Sequence, residues 1–293
     1  MKILFIGCVL SSKLILEKLI EMNENIVGVI TKKKSEYNSD FQDIASICIE
    51  NSIDYIYTEN INESSTIEYI KEKKPDVIYC FGWSQIISKS ILKLPPKGVI
   101  GFHPAALPNN RGRHPIIWAL ALGLKETKSS FFIMDEDADT GDIISQEKVY
   151  ISYEDDADSL YLKIMDIALK QLYNFTKDLK EDRIKKIRQK EKGNYWRKRD
   201  KSDGEIDWRM SSYTIYNLVR ALTKPYIGAH FKHYNNEYKV WKVKEIKDGY
   251  ENLEPGKIVE VYSDTSFLIK CGEGLIKVEK CENIKLDKGE YLR

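Results

Sequence analysis

The chain opens with a short apolar run, Lys2–Ile6. In the next segment Leu14, Ile15, Leu16, Leu19 and Ile20 recur at helical spacing, and residues 26–30 form a second apolar run. Short apolar runs bounded by polar breaks read as strands, and the recurring spacing reads as a helix buried along one face. Ser11 stands where a cap would receive the first free N–H groups. Strand, helix, strand in this order begins a parallel, doubly wound sheet. The alternation predicts a helix over 41–51, a strand at Tyr55–Tyr57, a helix at Ser64–Lys73 and, past Pro75, a strand at Val77–Cys80. A further strand ends near Gly101. A helix follows over 114–123, then strands over 129–134 and 143–151. A long helix covers 155–179, with Leu160, Ile164, Ile167, Ala168 and Leu172 inward.

The pattern then changes. Residues 177–201 are strongly charged and read as a solvated linker. A helix over 211–222 precedes short alternating runs near 238–243, 257–262, 266–271 and 274–279, separated by glycines and polar turns. Such spacing suggests a small antiparallel barrel of the OB type. The expected fold is α/β: a Rossmann-like, mostly parallel sheet over 1–185, a linker over 186–205, and a smaller C-terminal domain over 206–293.

Composition narrows the partners. The 293 residues carry a net charge of +1, so there is no general excess of positive charge for a polyanion. No stretch approaches the roughly 18 apolar residues of a membrane span. Residues 1–7 read as a strand, not a signal peptide. Five cysteines without CxxC spacing suit a reducing cytoplasm and no structural zinc. The turn after the first strand lacks G-x-G-x-x-G, so nothing argues for a dinucleotide.

The candidate chemistry lies around His103. Prolines 104, 108 and 115 forbid a regular element after it, so it sits where a strand gives way to a stiffened loop. Ligands bind at such strand ends in open α/β sheets. A lone histidine there can also satisfy a backbone group. Downstream, Asp135, Glu136, Asp137 and Asp139 put four carboxylates in one short loop. The loop can be a solvated turn, a hard-cation site, or the source of a carboxylate for the imidazole. The calcium-loop pattern fails at its glycine and terminal glutamate. Residues 31–41 read either as a solvated loop or as a basic substrate loop.

The run His103-Pro104, Leu107-Pro108, Arg111-Gly112-Arg113, Pro115 and Trp118-Ala119, followed by 134–143, resembles the folate-dependent formyltransferase family. Asp203–Trp208 and Ile215–Ala221 resemble the family's entry to its C-terminal domain. The resemblance implies formyl transfer from N10-formyltetrahydrofolate to an amine, with no metal. It assigns proton shuttling to His103 and Asp139, with Asp137 and Asp142 as nearby competitors. It places the pterin against the backbone of Gln85, Ile86 and Ile87, with Arg113, Asp135, Glu136, Asp137 and Ala138 completing the folate site. Lys32, Asn38, Asp40, Asn109 and Arg111 are assigned to the acceptor. For the arginine pair, a purely structural grip on loop carbonyls is the competing reading. Trp118 reads as core.

One departure stands out. The family carries Asn-x-His, its asparagine donating to the developing oxyanion, and here that position is Gly101. Losing one such donor typically costs ~10²–10³ in rate. A water or backbone N–H, or the side chain of Asn109 or Asn110, can replace it. A weak enzyme, or a binding protein that lost turnover, is the other reading. Replacement is favoured because the rest of the signature is intact. The segment after the second strand lacks the longer basic insertion of methionyl-tRNA formyltransferases. The expected acceptor is therefore a nucleotide-linked amino sugar, with tRNA the runner-up. No nucleic-acid or membrane partner is expected. A homodimer is allowed.

Overall fold

The computed structural model describes residues 1–35, 39–247 and 250–292. The chain forms two compact units. The first comprises 1–115, 127–149 and 162–196; the second comprises 116–126, 150–161 and 197–293.

The first unit starts with β1 (Lys2–Ile6), α1 (Leu10–Glu21) and β2 (Asn25–Thr31), then α2 (Ala45–Glu50) and β3 (Tyr55–Tyr57). Next come α3 (Ser64–Lys73), β4 (Val77–Cys80), α4 (Lys89–Leu92) and β5 (Val99–His103). Along the chain there follow a two-residue strand β6 (Arg111–Gly112), α5 (Pro115–Ala121), which falls almost wholly in the second unit, then β7 (Glu126–Ile133), β8 (Ile143–Tyr150) and α6 (Ala157–Lys180), whose first turn is also in the second unit. Seven strands form one sheet in the order β3-β2-β1-β4-β5-β7-β8. Strands β1 to β5 pair in parallel, and β7 runs antiparallel to β5. This is a Rossmann-like, mostly parallel sheet.

Burial explains why the inner strands lack polar alternation: Ile3, Leu4, Phe5 and Ile6 are all 0% exposed. Both faces of a parallel sheet are covered, so neither can be polar. Tyr79, Phe81, Phe131 and Phe175 pack as tilted or edge-to-face rings at 4.7–5.8 Å. The buried Tyr79 hydroxyl meets Thr176 Oγ1 at 2.9 Å.

Two local expectations change. The helix expected over 41–51 begins only at Ala45. Phe41 bridges Val9, and Gln42 N donates to Cys8 O at 3.0 Å, so the backbone there is already committed. The cap is not Ser11: α1 begins at Leu10, and Ser12 Oγ receives Val9 N and donates to Phe81 O.

The second unit holds α7 (Ser212–Leu222), β10 (Ala229–His233), β11 (Asn236–Ile246), β12 (Ile258–Ser263), β13 (Ser266–Lys270) and β14 (Leu275–Cys281). Its antiparallel sheet has the order β10-β11-β14-β13-β12, so β10 and β12 are the edges. Trp208, Phe231 and Phe267 fill its core. Strand β10 is hard to read from sequence because His230, a polar residue, is 2% exposed. Trp118 is half-buried between elements of this unit: its indole donates to Arg197 O, and Arg199 lies 4.6 Å over its ring.

All five cysteines are free and buried. Burial pushes the thiols of Cys48, Cys80, Cys271 and Cys281 up to about 12. They are packing residues. No helix among the described residues is long and apolar enough to cross a membrane.

Candidate active site

His103 is the last residue of β5, at the carboxyl end of the parallel strands and in register with Ser130 of β7. It is 5% exposed. Its Nε2 lies 2.7 Å from Asn110 O, and its Nδ1 lies 3.7 Å from Asp139 Oδ2. The first distance is a hydrogen bond; the second is too long for one but within ion-pair range of a charged ring. A neutral imidazole has one N–H to give. The ring carrying an added proton has two, and an acceptor faces each.

Asp139 sits in the loop after β7 with φ 60°, in the left-handed region. Its Oδ2 accepts from Gly112 N at 2.9 Å. Its own carbonyl accepts from Gln189 Nε2 at 2.9 Å, and the same amide donates to Gly141 O at 2.7 Å. Gln189 Oε1 in turn accepts from Arg111 Nη2 at 2.7 Å. One side chain therefore ties the aspartate loop to the loop that carries His103's acceptor.

Gln189 falls in the stretch expected to be a linker. That stretch is folded onto the first unit as far as Trp196. Ile187 bridges Ile143, and the short strand β9 (Tyr195–Trp196) pairs in parallel with β6. Asn110 N donates to Asn194 Oδ1 at 2.9 Å, and Arg111 N donates to Asn194 O at 3.1 Å. Two glycines allow the close approach. A Cβ on Gly112 would collide with Trp196 O, and one on Gly193 with Pro108 O. High charge made this strap read as solvent-facing. The only sequence signal for it is Gly193, a small residue amid lysines.

Arg111, expected at the acceptor with a grip on loop carbonyls as the competing reading, has the contacts of the second. It is 5% exposed, its guanidinium donates to Gln189 and to Lys192 O, and it lies over the Tyr195 ring. Its work is to grip the strap. Arg113 is exposed, and its Nη2 donates to Ser84 O at 2.7 Å.

The remaining expected residues lie as follows. Gln85 spends its side chain on Ile61 N and Glu59 O. Ile86 is 67% exposed, with its carbonyl taken by Asn62, and Ile87 is buried in the core. Residues Asp135–Ala138 form an exposed loop. Asp135 closes that loop by accepting from Thr140 Oγ1, and Glu136 pairs with Lys89. Lys32 lies 3.5 Å from Glu59 and over the Trp83 ring. Asp40 O receives Leu10 N, Asn109 is exposed, and Asn38 lies outside the described residues. Among the described residues, no three His, Cys, Asp or Glu side chains converge as metal ligands would.

Gly101 is ordinary strand, paired with Cys80 on one side and Phe132 on the other. Its φ is not positive, so backbone freedom does not explain it. Space does. A Cβ there would stand 2.8 Å from Phe132 Cζ and 3.0 Å from Met134 Cγ. Phe132, 2% exposed, packs with Leu107 and Ile143. An aromatic ring lies where any side chain at 101 would begin.

Family models match both units in sequence: a formyl transferase model over residues 1–176 and its C-terminal domain model over 198–289. The chain belongs to the formyl transferase family. A methionyl-tRNA formyltransferase from Caldanaerobacter subterraneus subsp. tengcongensis is 29% identical over 301 residues, 100% of this chain and 96% of the relative. The N-formyltransferase from Helicobacter canadensis, solved with folinic acid and dTDP-3-aminofucose, superposes with a TM-score of 0.72 at 18% identity. That match covers 96% of this chain and 99% of the other. HypX from Aquifex aeolicus, solved with tetrahydrofolic acid, gives 0.70 at 18% identity over 97% of this chain. This formyltransferase spans only 44% of the HypX chain.

Two outcomes follow from the packing. In the formyltransferase, Gly101→Asn must displace Phe132 from a closed cluster. Overpacking of this kind costs about 1–3 kcal/mol. The melting temperature should fall and kcat should not rise; a stable, faster Gly101→Asn variant would show that the space is open. Gln189→Ala should lower kcat by ~10–10²-fold through misplacement of Asp139, with KM changed less and the far-UV spectrum intact. An unchanged kcat would mean that Asp139 is held without it.

Proposed function

We propose that this formyltransferase passes the formyl group of N10-formyltetrahydrofolate to the amine of a nucleotide-linked amino sugar. The amine attacks the formyl carbon, and a tetrahedral intermediate forms with charge on oxygen. His103 takes the proton from the attacking nitrogen and returns one to the leaving nitrogen of the folate. Asp139 faces the ring as it charges. The observation that carries this mechanism is the pair itself: a buried imidazole at a strand end, with Asp139 Oδ2 3.7 Å from Nδ1.

The oxyanion needs a donor, and Gly101 supplies no side chain. Asn110 is the replacement in this reading. Its carbonyl touches His103, and its side-chain amide has no hydrogen-bond partner among the described residues. For the folate, two contacts join the expected binding segments. Arg113 reaches Ser84 O, and Lys89 pairs with Glu136 at 2.5 Å. That arrangement supports one cradle built from 84–89, Arg113 and 135–138.

The acceptor reading rests on the segment after β2. Asp40 O receives Leu10 N at 2.9 Å, and Gln42 N donates to Cys8 O, so the chain returns at once to the turn after β1. No long basic insertion intervenes between Thr31 and Phe41. A basic insertion would serve a nucleic-acid acceptor through its phosphates. The second reading, formylation of methionyl-tRNA, is favoured by the full-length likeness to a methionyl-tRNA formyltransferase. Five buried free thiols fit work in the reducing cytoplasm under either reading.

His103→Ala should remove at least ~10²-fold of kcat while the protein stays folded. Asn110→Ala should cost ~10²–10³-fold if its amide meets the oxyanion. Single-turnover rates with 10-formyltetrahydrofolate check both, and a near-normal His103→Ala rate would overturn the mechanism. For the acceptor, a panel of nucleotide-linked amino sugars is assayed beside initiator methionyl-tRNA. Sugar formylation should dominate. A preference for the tRNA establishes the second reading, and donor binding without turnover on either acceptor leaves a retired, binding-only protein.

A further inference from the structure

A cavity of about 480 Å³ lies within the second unit, whereas His103 belongs to the first. Its volume is that of a small-ligand site. Val219 and Val243 give it an apolar floor, and Trp241 and Tyr216 supply aromatic walls. Tyr216 is fixed in place: its ring stacks on Tyr153 at 4.5 Å, and its hydroxyl donates to Tyr153 O at 2.7 Å.

Three features make the cavity attractive to an anion. Arg220 lines it at 6% exposure. Its Nε donates to Asn217, and its Nη1 donates to the carbonyls of Ser152, Tyr153 and Asp155, all neutral acceptors. Nη2 has no hydrogen-bond partner, and no carboxylate lies within ion-pair distance, among the described residues. A buried guanidinium bonded only to neutral acceptors and lying over the Tyr216 ring keeps a charged donor that an anion can take. Second, Lys242 and Lys280 stand directly opposite each other across β11 and β14. Like charges so placed repel; Glu279 offsets only Lys242, at 3.4 Å. Third, Lys224 reaches the cavity with no ion-pair partner among the described residues.

The sheet is bent to present these groups. The register of β11 against β14 slips on both sides of Lys242. Successive strand residues normally alternate faces, but bulges re-aim them. Trp241, Lys242 and Val243 all line the cavity as a result. Two carboxylates, Glu154 and Asp156, complete the lining, with Asp156 already accepting Ser159 N. A bare anion has no use for them. A nucleobase with N–H donors does.

We propose that this cavity binds a nucleoside phosphate. The phosphate meets Arg220 Nη2 and the lysines, the base lies against Trp241 and Tyr216, and the base N–H groups face Glu154. The site is lined by residues of the second unit alone, and the proposal stands or falls independently of the acceptor's identity.

The test follows the indole N–H resonance of Trp241, assigned by its absence in Trp241→Phe, in the full-length protein. ADP, GDP, CDP and UDP are titrated separately. At least one should shift that resonance saturably with 1:1 stoichiometry. The midpoint should rise at least tenfold in Lys224→Glu/Lys280→Glu, whose substituted side chains are exposed and leave the fold intact. The Trp83 resonance, in the first unit, serves as the control for nucleotide binding elsewhere. No Trp241 shift with any of the four at millimolar concentration would overturn the proposal. So would an unchanged midpoint in the charge-reversed variant, an equal response to inorganic phosphate alone, or a response to an RNA hexamer but to no nucleotide.

Discussion

The amide of Gln189 holds the candidate active site together. It donates to two carbonyls of the aspartate loop, at Asp139 and Gly141, and accepts from the guanidinium of Arg111. All three bonds are partly buried, and Arg111 is 5% exposed, so water competes for them less than at an open surface. Remove the amide and two carbonyls and one arginine lose partners together. Among the described residues, Gly112 N donating to Asp139 Oδ2 would then be the direct hydrogen bond left between the segments that carry His103's acceptor and its carboxylate. Catalytic geometry depends on such outer contacts because a reacting group a fraction of an ångström out of place transfers protons poorly.

The surroundings of Gly101 show a second constraint, from packing. The strand that ends in the histidine must also pair with β7, whose Phe132 needs a place in the core. Glycine leaves that place. An oxyanion donor at 101 and a phenyl ring at 132 compete for the same volume, and here the ring has it. The core on this side is tighter than a polar side chain would leave it. The fold tolerates the exchange because the His103 backbone is held by its strand pairs, independent of the residue at 101.

Much of this was legible in the chain. The apolar runs separated by helical spacing gave the parallel sheet, since burial on both faces removes polar alternation. The prolines after His103 marked the loop, and the folate-family signature located the histidine and its aspartate loop. The segment 186–196 was judged by charge, and charge by itself says solvent; for Arg111 the family resemblance pointed to the acceptor, and the competing reading, a grip on loop carbonyls, matches its contacts. Arg111 is 5% exposed, because its stem packs and its guanidinium finds carbonyl and amide oxygens that come from 78 or more residues away.

The sequence by itself determined the order of strands and helices, the stiff loop after His103 and the family of the chemistry, because these depend on local propensity and on short motifs. The tertiary structure alone decided that Gln189 ties the aspartate loop to Arg111, that Phe132 occupies the space beside Gly101, and that Arg220 lines a cavity with only neutral hydrogen-bond acceptors around its guanidinium. Each of these depends on two segments far apart in the chain arriving at the same few ångströms. Neither hydropathy nor charge, read one residue at a time, carries that distance.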